Sequence, residues 1–176
     1  MEAKNLAGLY GLPQLDWDRI ATRLEHGIPQ APGAGGPGRH TCWLATIGPS
    51  GAPHVTGIGA LWVDGAFWFE TGRTTRKARN LRRDPRCTLS VAVDEFDLVV
   101  EGEAEEITHA GTVAAMAQRW ADGGWPARVD ASGVALTADF SAPSAGPPPW
   151  FVWRITAHRA TALATTGDGG ATAWSF

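Results

Sequence analysis

The residues best suited to chemistry lie in one basic segment, residues 71–87, which reads TGRTTRKARNLRRDPRC. This segment holds seven of the fifteen basic residues in a chain whose net charge is −3. Thr74 or Thr75 can cap a short helix over TRKARNLRR, in which Ala78 and Leu81 lie three residues apart on the inward face. The Asp-Pro pair that follows ends this helix.

Three readings of this segment are open: a nucleic-acid site, a phosphate site and a solvent-exposed helix face. The rest of the chain is acidic and the sequence pI is about 5.9, which disfavours a polyanion. A solvent-exposed helix face explains the later arginines of the segment. It does not explain Arg76 and Lys77, because the helix macrodipole destabilises positive charges in the first turn. Together with the hydroxyls of Thr74 and Thr75 and the free backbone N–H groups, they favour a phosphate site.

The overall composition sets the class of protein. A chain of 176 residues that is 44% hydrophobic and 19% charged is typical of one globular domain spanning residues 1–176. No apolar run is long enough to cross a bilayer, and the N-terminus does not resemble a signal peptide. Cys42 and Cys87 match no zinc spacing and lie in apolar runs, so we expect buried, reduced thiols, no metal site and a cytoplasmic location.

The expected elements are short strands joined by tight turns, with few helices. Helices are expected over residues 16–27, capped by Asp16, and over residues 110–120. An N-terminal region, residues 1–38, would end in a flexible loop at 29–38, and residues 121–149 form a second irregular loop. Strands are expected over residues 41–48, 54–63, 66–71, 87–93, 97–107 and 150–163, with a hairpin turn at Asp64-Gly65. This pattern predicts a mainly β fold with short helices, a small closed or split β-barrel.

Two features suit a planar ligand but also have simpler explanations. Gly57 and Gly59 interrupt the strand over residues 54–63, either because a flat ligand approaches the backbone or because a barrel strand must curve. The nine tryptophans of the chain are expected mainly in the core and in a subunit interface, with some available as walls of a ligand site.

The basic segment and its surroundings resemble the FMN-binding split-barrel superfamily. That superfamily contains pyridoxamine 5′-phosphate oxidase-like proteins and flavin/deazaflavin oxidoreductases that use coenzyme F420. The resemblance covers residues 41–107 most closely, and residues 150–176 more loosely. It is carried by Leu44-Ala45-Thr46, Gly51-Ala52-Pro53-His54-Val55, Thr71, Arg76-Lys77, Asn80-Leu81 and Asp84-Pro85-Arg86.

The resemblance implies a cofactor site. Arg76 and Lys77 would bind the cofactor phosphate, with Thr71, Thr74 and Thr75 donating hydrogen bonds around it. The strand at residues 54–58 would lie along the ring. Members of the superfamily are homodimers with the cofactor between subunits, so Trp153, Arg154 or Trp174 of the second copy would close the site. The full set of implied cofactor-binding residues is Thr56, Gly57, Ile58, Thr71, Thr74, Thr75, Arg76, Lys77, Asn80 and Trp174.

The resemblance also implies an activity, hydride transfer between the bound ring and a small organic acceptor. The stretch ARNLRRDPR resembles the B-type branch that uses F420, with FMN as the alternative cofactor. Arg154 and His158 lack the Arg-x-His spacing of true pyridoxamine 5′-phosphate oxidases, which argues against vitamin B6 oxidation. No catalytic residue is assigned. A carrier for a flavin, haem, biliverdin or a lipid remains the alternative, and neither nucleic acid nor a membrane is expected as a partner.

Overall fold

The computed structural model describes residues 1–30 and 40–176. Residues 31–38 of the expected flexible loop lie outside this part of the chain. The helices are α1 (Trp17–Glu25), α2 (Arg76–Arg83) and α3 (Ala110–Asp122), with 3-10 turns at Gly8–Tyr10 and Pro143–Ala145. The strands are β1 (Glu2–Asn5), β2 (Cys42–Ile47), β3 (Pro53–Ile58), β4 (Leu61–Val63), β5 (Ala66–Gly72), β6 (Arg86–Ala92), β7 (Phe96–Ile107), β8 (Arg128–Val129), β9 (Leu136–Thr137), β10 (Trp150–Ala164) and β11 (Ala171–Ser175).

The strands form one antiparallel sheet that curls into a split barrel, as predicted. The main path runs β1-β11-β10-β7-β6-β2-β3, and β5 pairs with β10 and β4. β3 is the last strand of this path, and β4 pairs with β5 alone. Among the described residues, β3 and β4 each have a strand partner on one side only, and the gap between β3 and the β4–β5 hairpin is the split.

Strand β10 creates this arrangement because its two halves have different neighbours. One edge pairs with β7 along most of the strand, while the other pairs first with β5 and then with β11. The register shifts between Ala157 and Arg159, which marks a bulge. Opposite the bulge, a Cβ on Gly102 would lie 2.1 Å from the carbonyl oxygen of Thr156. Only glycine therefore fits at the bend.

Two apolar clusters lie on opposite faces of the sheet. The larger one fills the barrel and includes Leu44, Phe69 and Trp153, with α1 adding Ile20 and Leu24. The second lies between the outer face of β5 and β10 and helix α3, which buries the expected stripe of Val113, Met116, Ala117 and Trp120. Burying one Val, Leu, Ile, Phe or Met side chain completely stabilises the folded state by about 1.5–3 kcal/mol.

The structure confirms most of the predicted elements, together with the local interactions that were expected to form them. The side chain of Asp16 accepts a hydrogen bond from the backbone of Asp18 and caps α1. Asp64 and Gly65 have φ angles of 50° and 75° and form the hairpin turn between β4 and β5. Cys42 and Cys87 are free and buried.

Three expectations about the strands are corrected. The strand expected over residues 54–63 is divided into β3 and β4, because the Gln30 amide hydrogen-bonds both backbone groups of Ala60 and so takes the place of a neighbouring strand. β1 was not expected, and pairs with β11. The irregular region at 121–149 contains β8, β9 and a 3-10 turn.

None of the helices in residues 1–30 and 40–176 is both long enough and apolar enough to span a bilayer.

The bend in β10 gives the first prediction. We expect Gly102→Ala to lower the free energy of unfolding by about 3 kcal/mol, because the added methyl group overpacks a backbone contact. Gly59→Ala is the matched control, since a Cβ there meets nothing within 4 Å. Urea denaturation of both variants measures the difference, and equal midpoints would show that the bend does not depend on Gly102.

Candidate functional site

The candidate site begins at the first turn of α2, which Thr75 caps. The Thr75 hydroxyl accepts from the backbone N–H of Ala78 at 3.3 Å and donates to the carbonyl of Gly72 at 2.9 Å. It also lies 2.9 Å from the hydroxyl of the fully buried Thr71. Both hydroxyls therefore hold the turn in shape, whereas Thr74 is exposed in the same turn.

Most basic side chains of the segment are paired with other groups of the same chain. Arg73 and Arg82 both pair with Glu106, at 2.5 Å each, and Arg86 pairs with Asp84 at 2.7 Å. Carbonyl oxygens accept hydrogen bonds from the others, Arg79 (to Thr74), Arg83 (to Ile47) and Lys77 (to Ser144). Within the described residues, Arg76 is the one basic residue of the segment whose side chain has no hydrogen bond or ion pair.

The unpaired Arg76 guanidinium lies beside the turn that joins β2 to β3. Its Nη2 atom is 3.7 Å from the position that a Cβ on Gly48 would occupy. His54, at the start of β3, has its Nδ1 shielded from solvent without a hydrogen-bond partner in residues 1–30 and 40–176. Burial, Arg76 and Lys77 all lower the pKa of His54, so its ring is neutral at physiological pH.

Next to Arg76 in the helix, Lys77 forms a pair of opposite charge with Glu70, in which Lys77 is buried and Glu70 is half-buried. Burial lowers the pKa of Lys77 and the nearby Glu70 opposes that shift. Burial raises the pKa of Glu70 to about 7, against the attraction of Lys77. The Oε2 atom of Glu70 is shielded and has no hydrogen-bond partner among the described residues. Shielded polar atoms without partners are rare in folded proteins, and they mark a place where a ligand or water belongs.

A segment that we call the strap, residues 141–149, covers this pair. Its 3-10 turn packs against both β3 and β5, so the strap bridges the split. A Cβ on Gly72 would lie 2.9 Å from the Pro147 carbonyl, and one on Gly146 would lie 3.0 Å from the Thr75 methyl group. The strap is therefore in close contact with the first turn of α2. The Ser141 hydroxyl is a further shielded atom with no partner in the described chain.

The residues expected along a ligand ring lie on β3, at the free edge of the sheet. Thr56 and Gly57 are partly exposed and Ile58 is buried. A Cβ on Gly57 would approach the Thr41 methyl group to 3.3 Å and the Trp43 ring to 3.7 Å. The open backbone edge of β3 runs towards His54 and Arg76, so this strand and the start of α2 form one continuous surface.

Two other expected site residues have structural contacts. Asn80 is buried and donates to the Thr46 hydroxyl at 3.0 Å, which ties α2 to β2. Trp174 is 1% exposed and packs in the barrel, with its ring centre 5.2 Å from that of Trp17. The structure brings together Thr71, Thr74, Thr75, Arg76 and Lys77, and it places Trp174 apart from them in the same chain.

Sequence reasoning missed Glu70, treated the strap as part of an irregular loop without placing it over α2, and left His54 without a role. Glu70 had a signal, since it is the one acidic residue in the apolar run AFWFET. The strap had none, because PSAGPPP carries neither apolar periodicity nor a charged side chain.

This arrangement can bind an anion. An unpaired guanidinium, a capped helix N-terminus and neutral His54 converge at one end of an open strand, where they suit a phosphate attached to a flat group. The residues present therefore fit the phosphate and ring of a flavin-type cofactor.

Burial of Glu70 gives the second prediction. Its folded-state pKa of about 7 lies above the ordinary value of 4.5, so folding binds a proton between these values. The stability that this provides is complete below about pH 4.5 and is lost as pH rises through 7, a loss of about 3 kcal/mol. We expect Glu70→Gln to remove this loss, as measured by urea unfolding at pH 5 and pH 8. Identical pH dependence in the two proteins would contradict it.

Comparison with known proteins agrees with this fold. The family model of pyridoxamine 5′-phosphate oxidase matches residues 36–164. No curated protein matches the sequence significantly.

Solved structures share the architecture. A conserved hypothetical protein from Mycobacterium tuberculosis is 26% identical with a TM-score of 0.56, covering 83% of this chain and 82% of that one. A putative 5-nitroimidazole antibiotic resistance protein from Bacteroides thetaiotaomicron is 12% identical with a TM-score of 0.59, covering 99% and 93%. General Stress Protein 26 from Bacillus anthracis is 13% identical with a TM-score of 0.56, covering 84% and 94%. With the family match over most of its length, the chain belongs to the pyridoxamine 5′-phosphate oxidase family.

Proposed function

We propose that this protein is an oxidoreductase that binds F420 or FMN at the split and transfers a hydride between the cofactor ring and a small organic acceptor. The observation that carries this proposal is the unpaired Arg76 guanidinium at the start of α2. Every other cation of the basic segment has a partner within the described chain.

The cofactor phosphate binds at Arg76 in this proposal. A guanidinium forms two parallel charge-assisted hydrogen bonds with phosphate oxygens, and exposed Thr74 adds a hydroxyl donor. Lys77 contributes positive charge from below. Its ammonium group already donates to Ser144 under the strap, so a direct contact with phosphate requires the strap to shift.

The ring of the cofactor lies along β3. Among the described residues, β3 pairs with β2 alone, so backbone groups on its outer edge can hydrogen-bond to the heteroatoms of a flat ring. Gly57 leaves room for close approach beside Trp43. The bound cofactor supplies the hydride chemistry, while this chain binds it, orients it and shields it from water.

Vitamin B6 oxidation is not part of the proposal. Arg154 forms an ion pair with Glu105 at 2.6 Å, and His158 lies further along the same strand. This pairing and spacing differ from the arginine and histidine set of enzymes that bind pyridoxamine phosphate. A reducing compartment such as the cytoplasm suits the two free, buried cysteines.

A second copy of this chain covers the exposed outer face of the sheet in our proposal. Trp43 is 50% exposed and Val55 is 57% exposed, and Val99 adds to the same face. Large apolar side chains clustered in this way are typical of a protein interface. Because Trp43 adjoins Gly57, a copy seated there places the cofactor between subunits.

The phosphate site gives the third prediction. We expect Arg76→Ala to weaken binding of FMN and of F420 at least about tenfold, since it removes charge-assisted hydrogen bonds. Titration of the purified protein, followed by fluorescence quenching, measures both affinities. Arg86→Ala is the control, because Arg86 is paired with Asp84 and should leave affinity unchanged.

The outcome also separates a site for a flavin-type cofactor from a site for an unrelated ligand. Tight binding of one cofactor supports the oxidoreductase and identifies that cofactor. Failure of both to bind the wild-type protein would contradict the proposal and favour a carrier of haem, biliverdin or a lipid.

The interface gives the fourth prediction. We expect Trp43→Asp to convert a homodimer into a monomer, because it buries a charge in the apolar contact. Light scattering coupled to size-exclusion chromatography measures the mass. Leu9→Asp is the control, since Leu9 is 90% exposed on the first 3-10 turn. A wild-type monomer, or a Trp43→Asp dimer, would refute this interface.

A further inference from the structure

We propose that Glu70 makes the anion site prefer a phosphodiester to a phosphomonoester, because its carboxylate offsets Lys77 and leaves Arg76 as the single uncompensated cation. The inference rests on the proposed binding of a phosphorylated cofactor and names the class of phosphate that the site selects.

The geometry places Glu70 where it affects the bound anion. It lies on β5, two residues before Gly72, whose carbonyl is bound by the helix-capping Thr75. One carboxylate oxygen of Glu70 is shielded and has no partner in the described chain, so its charge is not neutralised by a hydrogen bond. The charged group that acts on Glu70 is the buried Lys77.

Among the described residues, β10 places the uncharged Val152 opposite Glu70, and the nearby Arg73 is already paired with Glu106. On α2, Arg76 and Lys77 are the cations that act on neighbouring His54. On β3, His54 is neutral because burial, and then these two cations, lower its pKa. The strap, which packs over the pair, has no titratable side chain between residues 141 and 149. The charge of the site is therefore set by Arg76, Lys77 and Glu70.

These three groups favour a ligand with one negative charge. With Glu70 ionised, the net charge of the site is that of Arg76 alone. A phosphodiester carries one negative charge, whereas a phosphomonoester carries about −1.5 to −2 near neutral pH. The extra charge of a monoester is repelled by Glu70 across a poorly solvated region, where charge interactions are strong. F420 contains a phosphodiester, and FMN contains a monoester.

The protonation of Glu70 adds a dependence on pH. Burial raises the pKa of Glu70 to about 7. Below this pH the neutral carboxyl leaves both cations uncompensated, and the site accepts a monoester more readily. Above it the carboxylate disfavours the monoester. FMN binding should therefore weaken as the pH rises through 7, and F420 binding should change little.

The test compares wild type with Glu70→Gln, each titrated with FMN and with F420 at pH 6 and pH 8. At pH 8 we expect Glu70→Gln to bind FMN about tenfold more tightly than wild type does, which is the effect of one pKa unit of coupling. F420 affinity should change less than about threefold, which corresponds to half a pKa unit of coupling between Glu70 and the ligand. At pH 6 the two proteins should bind FMN alike. Comparison at a fixed pH cancels the titration of the ligand itself.

A control and a second measurement keep the test decisive. Glu101→Gln removes a carboxylate from an exposed position on β7 and should alter neither affinity. Calorimetric titration of the wild-type protein at pH 7.5, in buffers of different ionisation heat, should show proton uptake with FMN and a clearly smaller uptake with F420. This second measurement does not depend on the folding of a variant.

The outcomes distinguish the two proposals. If neither cofactor binds the wild-type protein, the proposed function fails and this inference fails with it. If a cofactor binds but Glu70→Gln changes FMN and F420 equally, or FMN binding takes up no proton, the oxidoreductase proposal stands and the role of Glu70 is overturned.

Discussion

The pairing of β10 is the constraint on which the rest of this structure depends. Its outer edge is shared by β5 and β11, and the bulge between Ala157 and Arg159 separates the two partners. Because β5 is held on β10, the barrel does not close between β5 and β3. The split is thus a direct result of strand pairing. Helix α2 and the strap fill it, and neither can satisfy every polar group that faces the gap.

The electrostatic character of the site follows from this incomplete closure. A closed barrel would place apolar side chains at this position, whereas the split places Glu70, Lys77 and His54 there, under limited solvent. Burial moves their pKa values in opposite directions, up for the acid and down for the two bases. Titratable groups whose pKa values are shifted by burial and by a charged neighbour in a cleft are typical of functional sites. The crowded positive charge of the basic segment is mostly committed to internal pairs, and one guanidinium stays available.

The sequence predicts the elements of this fold well where a local cause determines them. Thr75 caps α2 and Asp64-Gly65 turns the β4–β5 hairpin because short-range hydrogen bonding and backbone conformation are sufficient. The division at Ala60 could not be predicted, since it depends on the side chain of Gln30, thirty residues away. β1 likewise depends on pairing with β11, at the other end of the chain.

The sequence predicted the charge of the candidate site better than it predicted the burial of the site's residues. Spacing and helix polarity were enough to select Arg76 and Lys77. The sequence did not predict that Lys77 is buried while Arg76 is exposed. Lys77 is covered by the strap, which has no periodic pattern from which its position could be predicted. Trp174 was assigned to the site, but its residue type does not determine where it packs. An aromatic side chain suits the wall of a ligand site as well as it suits the barrel core, and Trp174 packs in the core.

The claim that Arg76 holds a phosphate is tested most directly by comparing riboflavin with FMN, which differ only by that phosphate. In the wild-type protein the phosphate should improve affinity at least about tenfold, the effect of one charge-assisted hydrogen bond. In Arg76→Ala the two ligands should bind within about threefold of each other, the residual expected from the helix N-terminus. An FMN-to-riboflavin affinity ratio that is the same in both proteins would contradict the account.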